Sequence, residues 1–577
     1  MNTNDFCFIR NNYRNNYFGI NSVNNKRFMK RIFFGLFLFI NSFCFAQVIG
    51  GTVTDSINQA GIANAKVVVK NLNSGYTDSV FTNSSGNWNY NFPTSLNDDD
   101  ISPSEFVVAH NYPNPFNPST NIEFILPQTG KVQILIHNML GQLIDSREQF
   151  LNAGNYSIRW DANGSAGVYF YTIRNYNQSI TNKMILLDGG NGAGLSEIRF
   201  GNKIQNKSVN KTISIQVAIT FSKFAYVSKT INSSINGGEY FYTNLITIHH
   251  NSLMIDLHND ILERMAANPS YQLGVLNSIY HTDIPRLKKG GVDVQFFSVW
   301  VSPSLYPNNP FTQSQVMINI LNNQINLNQS TIGLARNTQE ALALTTLGKI
   351  AAVIGVEGGH TIENDLNKLA QLYNQGMRYM TITWNNSTSW AVSAQDPRSA
   401  TVGLSEFGKS VIRAMDSLGI IIDVSHTGIK TIQDILQITT KPIIASHSGV
   451  RALRNHYRNL YDNQIIAIAN SGGVIGVVFY PPFLTSSSSA NIDTVIKHID
   501  YIKNLVGIDY VALGSDFDGI ETTPIGLEDV SKFPALTLRL LERGYSQQDL
   551  EKILGGNFMR VFEQVCGNKK ILNRNNY

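Results

Sequence analysis

The first half of the chain alternates short apolar and polar runs in the manner of β-strands. Between residues 48 and 250, alternating runs such as 65–69 and 132–136 are separated by clusters of Gly, Asn and Ser. A period of two gives a strand one apolar face that packs against a second sheet. We therefore predict all-β, sandwich-like modules for this half of the chain.

From residue 253 onward, apolar runs alternate with amphipathic helical stretches. Eight runs are predicted to be strands: 253–258, 292–301, 350–357, 377–385, 419–426, 442–447, 473–480 and 510–516. The helical stretches include 363–376, 405–418, 427–436, 462–471, 491–506 and 546–565. Alternation of strands and helices is typical of a parallel sheet, and eight such units predict a closed (β/α)8 barrel of the TIM type.

Length and composition agree with a multi-domain protein. The chain has 577 residues, whereas a single hydrophobic core stops growing near roughly 250–300 residues. Its composition, 43% hydrophobic and 15% charged, is that of a globular protein. A formal net charge of +4 is too small for this length to indicate a nucleic-acid partner.

An apolar run at residues 32–46 follows a cluster of basic residues that includes Lys30 and Arg31. This pattern indicates a signal peptide over residues 1–46, and translation starting at Met29 would give it a more usual form. Its roughly 15 apolar residues are fewer than the roughly 20 that span a bilayer, so cleavage is favoured over a retained anchor. We expect a secreted or cell-surface bacterial protein.

Two segments of the β-rich half resemble modules of secreted bacterial proteins. Residues 48–100 resemble carboxypeptidase-regulatory-like β-sandwiches, with a plain spacer as the alternative. Residues 102–190 contain NYPNPFNPSTNIEFILP and AGVYFYTI, and they resemble the sorting domain read by the type IX secretion system. Such domains normally close a chain, so a β-sandwich linker stays open as an alternative. Residues 191–252 are predicted to be a β-rich linker before the barrel at 253–577.

Several predicted barrel strands end in side chains that bind metals. They are His258 with Asp260, Glu357, His426, His447 and Asp516. Active sites of such barrels lie where the strands end, so these side chains are expected to converge. The H-x-D spacing of the first pair also places both side chains on one face of an extended segment.

Three imidazoles and two carboxylates suit Zn²⁺, and two ions fit if Glu357 bridges them. Two ions roughly 3.5–4 Å apart would hold a hydroxide and polarise a carbonyl, which is the chemistry of amide hydrolysis. A lone histidine is more often structural, as we assume for His281 and His498. The joint placement of three histidines at strand ends favours metal ligands.

Five motifs of the barrel resemble those of the renal (membrane) dipeptidase family. They are IDLHND at 255–260, GVEGGH at 355–360, DVSHTG at 423–428, SHSGVRAL at 446–453 and GSDFDG at 514–519. The resemblance implies a dipeptidase with two zinc ions. Its implied ligands are His258, Asp260 and Glu357 for one ion, and Glu357, His426 and His447 for the other.

The resemblance also implies roles around the metals. Asp516 would handle the proton passed to the leaving amine; a role in an Asx turn is the alternative, for which Asp518 is the better candidate. Arg458 would bind the C-terminal carboxylate of the substrate, unless it is a solvated helix arginine.

In TITWNNSTSW at 381–390 this chain departs from the family. The family commonly has a histidine that faces the substrate, at the position where this chain has Trp384. The stabilising role of that histidine is expected to pass in part to zinc, or to Asn385 or Asn386.

Three functions follow from these observations. The favoured one is a secreted binuclear zinc dipeptidase that uses a metal-bridging hydroxide. The second is a barrel metallohydrolase acting on another amide or on a lactone. The third is a non-enzymatic surface protein with a vestigial barrel, which the intact ligand set disfavours. The partners expected are dipeptide substrates, the type IX secretion machinery and, in a homodimer, a second copy of the chain.

Overall fold

The computed structural model describes residues 48–92, 106–175, 178–200, 215–236, 238–487 and 489–567. The predicted signal peptide lies outside these ranges. Within them, no helix combines the length and the apolar character that a membrane crossing requires.

The described part of the chain before the barrel is built from strands, as predicted. The strands are β1 (Val48–Asp55), β2 (Lys66–Asn71), β3 (Thr77–Phe81), β4 (Asn87–Asn91), β5 (Val107–Val108), β6 (Ser119–Leu126), β7 (Gly130–Asn138), β8 (Leu143–Leu151), β9 (Gly154–Gly164), β10 (Gly167–Arg174), β11 (Ser179–Leu186), β12 (Gly190–Leu195), β13 (Arg199–Phe200), β14 (Ile215–Ser222), β15 (Lys229–Ile235) and β16 (Tyr240–Leu245).

One sandwich combines strands from both sides of an insertion. Its sheets have the orders β16-β1-β4 and β15-β14-β2-β3. The parallel β1–β16 ladder pairs Gly50 with Tyr240, and side chains such as Val67, Trp88 and Phe221 share one core. Strands from the predicted linker 191–252 thus belong to the sandwich of residues 48–92. Alternating polarity marks these residues as strands but does not say which distant strand they pair with.

The segment that resembles a sorting domain forms a second sandwich inserted between β4 and β14. Its sheets have the orders β11-β10-β7-β8 and β12-β9-β6-β5, with β13 added beside β9. The aromatic side chains Phe116, Trp160 and Tyr171 are buried in its core. The strands β12 and β13 extend this sandwich beyond residue 190, into the predicted linker.

The C-terminal part is a parallel barrel, which confirms the predicted fold class. Its strands are β17 (Ile255–Asp256), β18 (Val294–Trp300), β19 (Ile332–Leu334), β20 (Ile350–Glu357), β21 (Met377–Thr381), β22 (Ile421–Asp423), β23 (Ile443–Ser448), β24 (Val474–Val477) and β25 (Val511–Leu513). Eight strands follow the order β17-β18-β20-β21-β22-β23-β24-β25, and β19 pairs outside this path with β20. The Leu257 amide donates to the Leu513 carbonyl at 3.1 Å, which nearly closes the barrel.

Helices surround the strands and pack their apolar stripes against them. They are α1 (Ile248–Asn251), α2 (Ile261–Ala267), α3 (Ile284–Lys289), α4 (Pro310–Leu327), α5 (Thr338–Thr346), α6 (Leu366–Asn374), α7 (Glu406–Leu418), α8 (Ile429–Leu436), α9 (Asp462–Asn470), α10 (Pro481–Leu484), α11 (Ile492–Val506), α12 (Phe533–Glu542), α13 (Gln547–Glu551) and α14 (Asn557–Cys566). The predicted helix at 546–565 is divided by a π-helical segment, Lys552–Gly556.

The short helix α1 joins the sandwich to the barrel and packs on the barrel wall. The buried His249 donates from Nε2 to the Gly290 carbonyl at 2.7 Å, and its Nδ1 lies 2.7 Å from Thr537 Oγ1. The barrel therefore uses side chains that precede residue 253, where the sequence pattern placed its start.

Candidate active site

The carboxyl ends of the barrel strands bring the predicted metal ligands together. Glu357 is the last residue of β20 and His447 lies near the end of β23, while the other ligands follow β17 and β22. Each of the six residues predicted for the centre is at most 8% exposed: His258, Asp260, Glu357, His426, His447 and Asp516. The polar ends of five buried strands thus form one cluster.

Glu357 lies at the centre of this cluster, between two groups of ligands. Its Oε2 is 3.4 Å from His258 Nε2, while its Oε1 is 2.9 Å from His426 Nε2 and 3.7 Å from His447 Nε2. The Nε2 atoms of His426 and His447 are 3.1 Å apart. One carboxylate oxygen faces each group, which is the arrangement of a bridging ligand.

The ligand atoms form three overlapping groups that could each hold an ion, with donor atoms within 4.8 Å of one another. Two of them are the predicted sets, His258–Asp260–Glu357 and Glu357–His426–His447. The third combines His258, His447 and Asp516. Asp516 Oδ1 is 4.0 Å from His258 Nε2, whereas Asp260 Oδ2 is 3.3 Å from it. Asp516 therefore lies at the margin of the cluster.

Two polar atoms in the cluster indicate that these residues fit a metal ion. Within the described residues, the buried His258 Nε2 and Asp260 Oδ1 make no hydrogen bond. A buried polar atom without a partner costs about 1–3 kcal/mol. A divalent cation would satisfy both atoms, and a donor set of imidazole nitrogens and carboxylate oxygens suits Zn²⁺.

The ring nitrogens that point away from the cluster are held by other side chains. His258 Nδ1 lies 2.7 Å from the Tyr379 hydroxyl, and His426 Nδ1 lies 3.0 Å from Asn385 Oδ1. When each Nδ1–H is donated to these oxygens, Nε2 keeps the lone pair that a metal needs. Tyr379 and Asn385 therefore fix both the ring orientation and the tautomer.

The third imidazole is oriented through a hydroxyl and a buried carboxylate. His447 Nδ1 lies 2.8 Å from Ser446 Oγ, which donates to Asp423 Oδ2 at 2.6 Å. Thr381 Oγ1 donates to the same carboxylate oxygen at 2.5 Å. Our sequence interpretation missed this relay, although a buried carboxylate at the end of β22 is a signal that a polar partner lies nearby.

Two of the site residues have a backbone conformation that is unusual for their type. His426 and Asp516 have φ angles of 64° and 63°, in the left-handed region. This region disfavours residues with a Cβ, so it persists where the surroundings fix it. The Asp516 amide donates to the His258 carbonyl at 3.1 Å, and Thr383 Oγ1 donates to the His426 carbonyl at 3.1 Å.

The electrostatics of the cluster keep two imidazoles neutral. Burial, with Arg458 nearby, lowers the pKa of His426 to about 4, and burial with the adjacent His258 lowers the pKa of His447 well below its usual value. Burial alone would raise the pKa of Glu357, but His258 and His426 lower it far below normal. Two neutral imidazoles and an ionised carboxylate have the protonation states that metal ligands require. The third imidazole differs: burial opposes its charge, but Tyr379 and the carboxylates of Asp260 and Glu357 raise the pKa of His258 well above its usual value.

The pKa of the Asp516 carboxyl is shifted upward. Burial raises the pKa of its carboxyl well above the usual value, and the nearby Asp260 and Glu357 act in the same direction. A buried carboxyl group with a raised pKa holds a proton more readily and can pass it on as a general acid. This property fits the proton-transfer role predicted from the sequence.

The cluster opens into a cavity of about 540 Å³, a usual size for a small-molecule site. Trp384 lines it, with its ring centroid 5.1 Å from that of Trp300 and 6.3 Å from that of His426. Asn385 also lines this cavity, while Asn386 lines a neighbouring one. Trp300 was not predicted from the sequence.

Arg458 lines the same cavity and is only 3% exposed, so it is not a solvated arginine. Its Nη2 donates to the His447 carbonyl at 3.1 Å, and its guanidinium lies 5.3 Å from the ring centroid of Phe483. Its Nε and Nη1 are buried and make no hydrogen bond within the described residues. Each of these free donors can pair with the second N–H of Nη2 to form the planar fork that matches a carboxylate.

The two histidines taken as structural lie outside the ligand cluster. His498 donates from Nε2 to the Leu484 carbonyl at 3.0 Å and accepts at Nδ1 from the Val450 amide. The His281 amide donates to Asp518 Oδ1 at 2.7 Å, and the Asp518 amide donates to His281 Nδ1 at 3.0 Å. These bonds hold the loop that follows Asp516.

Comparison with known proteins gives two family matches. Residues 243–575 match the model of the membrane dipeptidase, peptidase family M19. Residues 110–187 match the model of the secretion system C-terminal sorting domain. The second match is internal, in the inserted sandwich. Both agree with the resemblances seen in the sequence.

Three solved structures are similar to the barrel. The probable dipeptidase PvdM from Pseudomonas aeruginosa is 25% identical, with a TM-score of 0.52, over 55% of this chain and 96% of that chain. The metallopeptidase dipeptidase AC is 26% identical, with a TM-score of 0.52, over 55% and 99% of the two chains. A metallopeptidase from Rhodobacter sphaeroides, liganded with a phosphinate mimic of the dipeptide L-Ala-D-Ala, is 26% identical, with a TM-score of 0.51, over 54% and 99%.

The family model covers more than half of the 577 residues, and these structures share its fold over nearly their whole length. The barrel, its buried His, Asp and Glu cluster and these matches lead to one conclusion: the chain belongs to the membrane dipeptidase family, peptidase family M19, and is a metal-dependent dipeptidase.

Proposed function

We propose that the barrel hydrolyses the peptide bond of dipeptides with two zinc ions. The observation that carries this proposal is the position of Glu357, whose two oxygens face different groups of ligands at 2.9–3.7 Å. The proposed ligands are His258, Asp260 and Glu357 for one ion and Glu357, His426 and His447 for the other.

Each part of the reaction has a residue suited to it. Zinc ions, when bound, would supply polarisation of the scissile carbonyl and acidification of a water molecule. Arg458 would hold the substrate carboxylate through Nη2 together with one of its unpaired donors, Nε or Nη1, and so would orient the peptide bond towards the ligand cluster. Asp516, whose pKa burial raises, would hold a proton on its carboxyl and give it to the leaving amine.

Of the alternative substrates, lactones are less suited to this cavity. A lactone has no carboxylate to occupy the free donors of Arg458, so binding it would leave buried charge unpaired. The Rhodobacter relative, liganded with a mimic of a dipeptide, also supports dipeptides as substrates. The intact ligand cluster argues against the third function, a non-enzymatic surface protein with a vestigial barrel.

The match to a sorting domain suggests export or placement at the cell surface. We propose that the protein is secreted and that the type IX secretion machinery recognises the inserted sandwich. The signal peptide and the homodimer stay predictions.

The function is tested by an activity panel on the full chain supplied with Zn²⁺. We expect hydrolysis of dipeptides with free carboxylates, with N-acyl amino acids and acyl-lactones as much poorer substrates. Faster turnover of N-acyl amino acids or of acyl-lactones would instead favour a barrel metallohydrolase that acts on another amide or on a lactone.

Replacing Arg458 with alanine should raise KM for dipeptides by about 10–100-fold, the value of a charge-assisted hydrogen bond of roughly 1.5–3 kcal/mol. The increase should be much smaller for dipeptide amides, which lack the carboxylate. Steady-state kinetics on matched acid and amide substrates measure the difference. Arg454→Ala is the control, because Arg454 lies outside the cavity. Equal losses on both substrates would make Arg458 a purely structural residue.

Replacing Trp384 with histidine should change the ranking of dipeptides without changing the zinc content. The indole packs beside Trp300 and lines the cavity, so a smaller ring removes apolar contact. We expect substrates with bulky apolar side chains to lose roughly tenfold in kcat/KM relative to Ala-Ala, the scale of a methylene or more of lost contact. Trp384→Phe keeps an aromatic wall and serves as the comparison. An unchanged ranking in the histidine variant would show that Trp384 does not contact the substrate.

A further inference from the structure

The loop that follows Asp516 folds back over the carboxylates of the site. A Cβ added at Gly519 would collide with Asp260 Oδ2 and Asp516 Oδ1, so the loop backbone lies directly against both side chains. The bonds between Asp518 and His281 hold the loop there. As a result, Ile520 and Glu521 line the cavity next to Asp516.

Glu521 is tied to the part of the cavity that contains Arg458. The Tyr480 hydroxyl donates to Glu521 Oε2 at 2.8 Å. The ring of Tyr480 meets that of Phe483 edge-on with centroids 4.8 Å apart, and Phe483 lies beneath the Arg458 guanidinium at 5.3 Å. Glu521 is therefore linked to Asp516 along the chain and to Arg458 through two aromatic rings.

Glu521 is exposed, and its carboxylate forms no ion pair with a Lys, Arg or His among the residues that the structure describes. Burial and the Glu521 carboxylate raise the pKa of Tyr480 to about 12, so the phenol remains a donor and the carboxylate an acceptor. A fixed carboxylate at the edge of a cavity attracts a cation in the substrate.

The roles proposed above place the leaving residue of the dipeptide in this region. Its carboxylate would be held by Arg458 and its amine would lie at Asp516. Once the carboxylate and the amine are fixed, two substituents of the Cα remain, the side chain and the hydrogen. These two substituents swap positions between the L and D forms of the residue. The lining that remains beside Arg458 and Asp516 includes Tyr480 and Glu521.

We propose that Glu521, positioned by Tyr480, selects dipeptides whose C-terminal residue carries a basic side chain. The inference rests on the proposed function, because it uses the orientation that Arg458 and Asp516 give to the substrate. It adds a preference at the leaving residue that the metal cluster alone does not provide.

The test compares Ala-Lys with Ala-norleucine, which has the lysine side chain without its terminal amine, using L and D forms of the second residue. In Glu521→Gln, the ratio of kcat/KM for Ala-Lys to that for Ala-norleucine should fall about threefold to fivefold for at least one form, the upper range for an exposed ion pair. Tyr480→Phe should lower the same ratio less. In the wild-type protein the ratio should decrease as salt is raised, because salt screens exposed charges.

Glu528→Gln is the matched control, since Glu528 is an exposed carboxylate on the same connection that pairs with Lys532 outside the cavity. Its ratio should equal that of the wild type. The inference is overturned if Glu521→Gln leaves the ratio unchanged, if Glu528→Gln lowers it equally, or if the change appears for Lys-Ala rather than Ala-Lys. A wild-type protein that hydrolyses no dipeptide would overturn the proposed function as well, so the two failures are distinguishable.

Discussion

Replacing Glu357 with glutamine is expected to lower dipeptide hydrolysis by roughly 10³–10⁴-fold, because polarisation by metal ions contributes several kcal/mol to such reactions. The zinc content should also fall below two ions per chain. A neutral amide cannot balance two dications, and its nitrogen is a poor ligand at a position where both carboxylate oxygens face imidazoles. Activity assays combined with elemental analysis of the purified variant measure both effects.

A matched control is available on the connection that follows β20. Glu363 pairs with Lys368 and accepts from the Phe311 amide, away from the ligand cluster. Glu363→Gln should therefore retain both ions. A Glu357→Gln variant with two bound ions and wild-type turnover would show that Glu357 is not the bridge.

Replacing Asp516 with asparagine should leave the zinc content unchanged and slow turnover by about 10²–10⁴-fold, the usual contribution of a positioned proton donor or acceptor. The asparagine side chain keeps the shape of aspartic acid but cannot pass a proton to the leaving amine. The combination of full metal content and low kcat separates this role from that of a ligand.

Asp518→Asn is the comparison for the Asp516 variant. Its Oδ1 would still accept from the His281 amide, so a much smaller loss is expected. A large fall in zinc content on Asp516→Asn would instead support the third ligand group, in which Asp516 binds an ion with His258 and His447.

The barrel strands could be predicted because they are continuous buried runs. The predicted strand 350–357 coincides with β20, all of whose residues are buried. The predicted strand 419–426 is longer than β22, Ile421–Asp423. At the N-terminal end, Gly419 caps α7 in a left-handed conformation. At the C-terminal end the strand stops at Asp423, and His426 beyond it is also left-handed. Hydrophobic pattern indicates where a strand lies but not where its backbone turns.

Two features of the fold could not be read from local patterns. The helix α4 was not predicted because its buried face includes Ser314 and Gln324, which interrupt the apolar stripe. Gln324 is buried because its side-chain oxygen accepts from the Leu273 amide, a distant partner. The sandwich at residues 102–190 was predicted, but its insertion into another sandwich was not, since the pairing of β1 with β16 joins strands nearly 200 residues apart.

The candidate site also contains some residues that could be predicted from the sequence and others that could not. The proposed ligands could be predicted because strand ends of such barrels converge and because imidazoles and carboxylates suit zinc. The side chains behind them could not, since Tyr379, Asp423 and Ser446 act through contacts between different strands. The same is true of Glu521, whose position depends on Tyr480.

The most direct test of two-zinc dipeptide hydrolysis is a titration of the metal-stripped full chain with Zn²⁺, in which bound zinc and hydrolysis of one dipeptide are measured on the same samples. The two predicted ligand sets share Glu357, so we expect no hydrolysis without metal and a maximum at two ions per chain. A maximum reached at one ion, or no hydrolysis with two ions bound, would contradict the account.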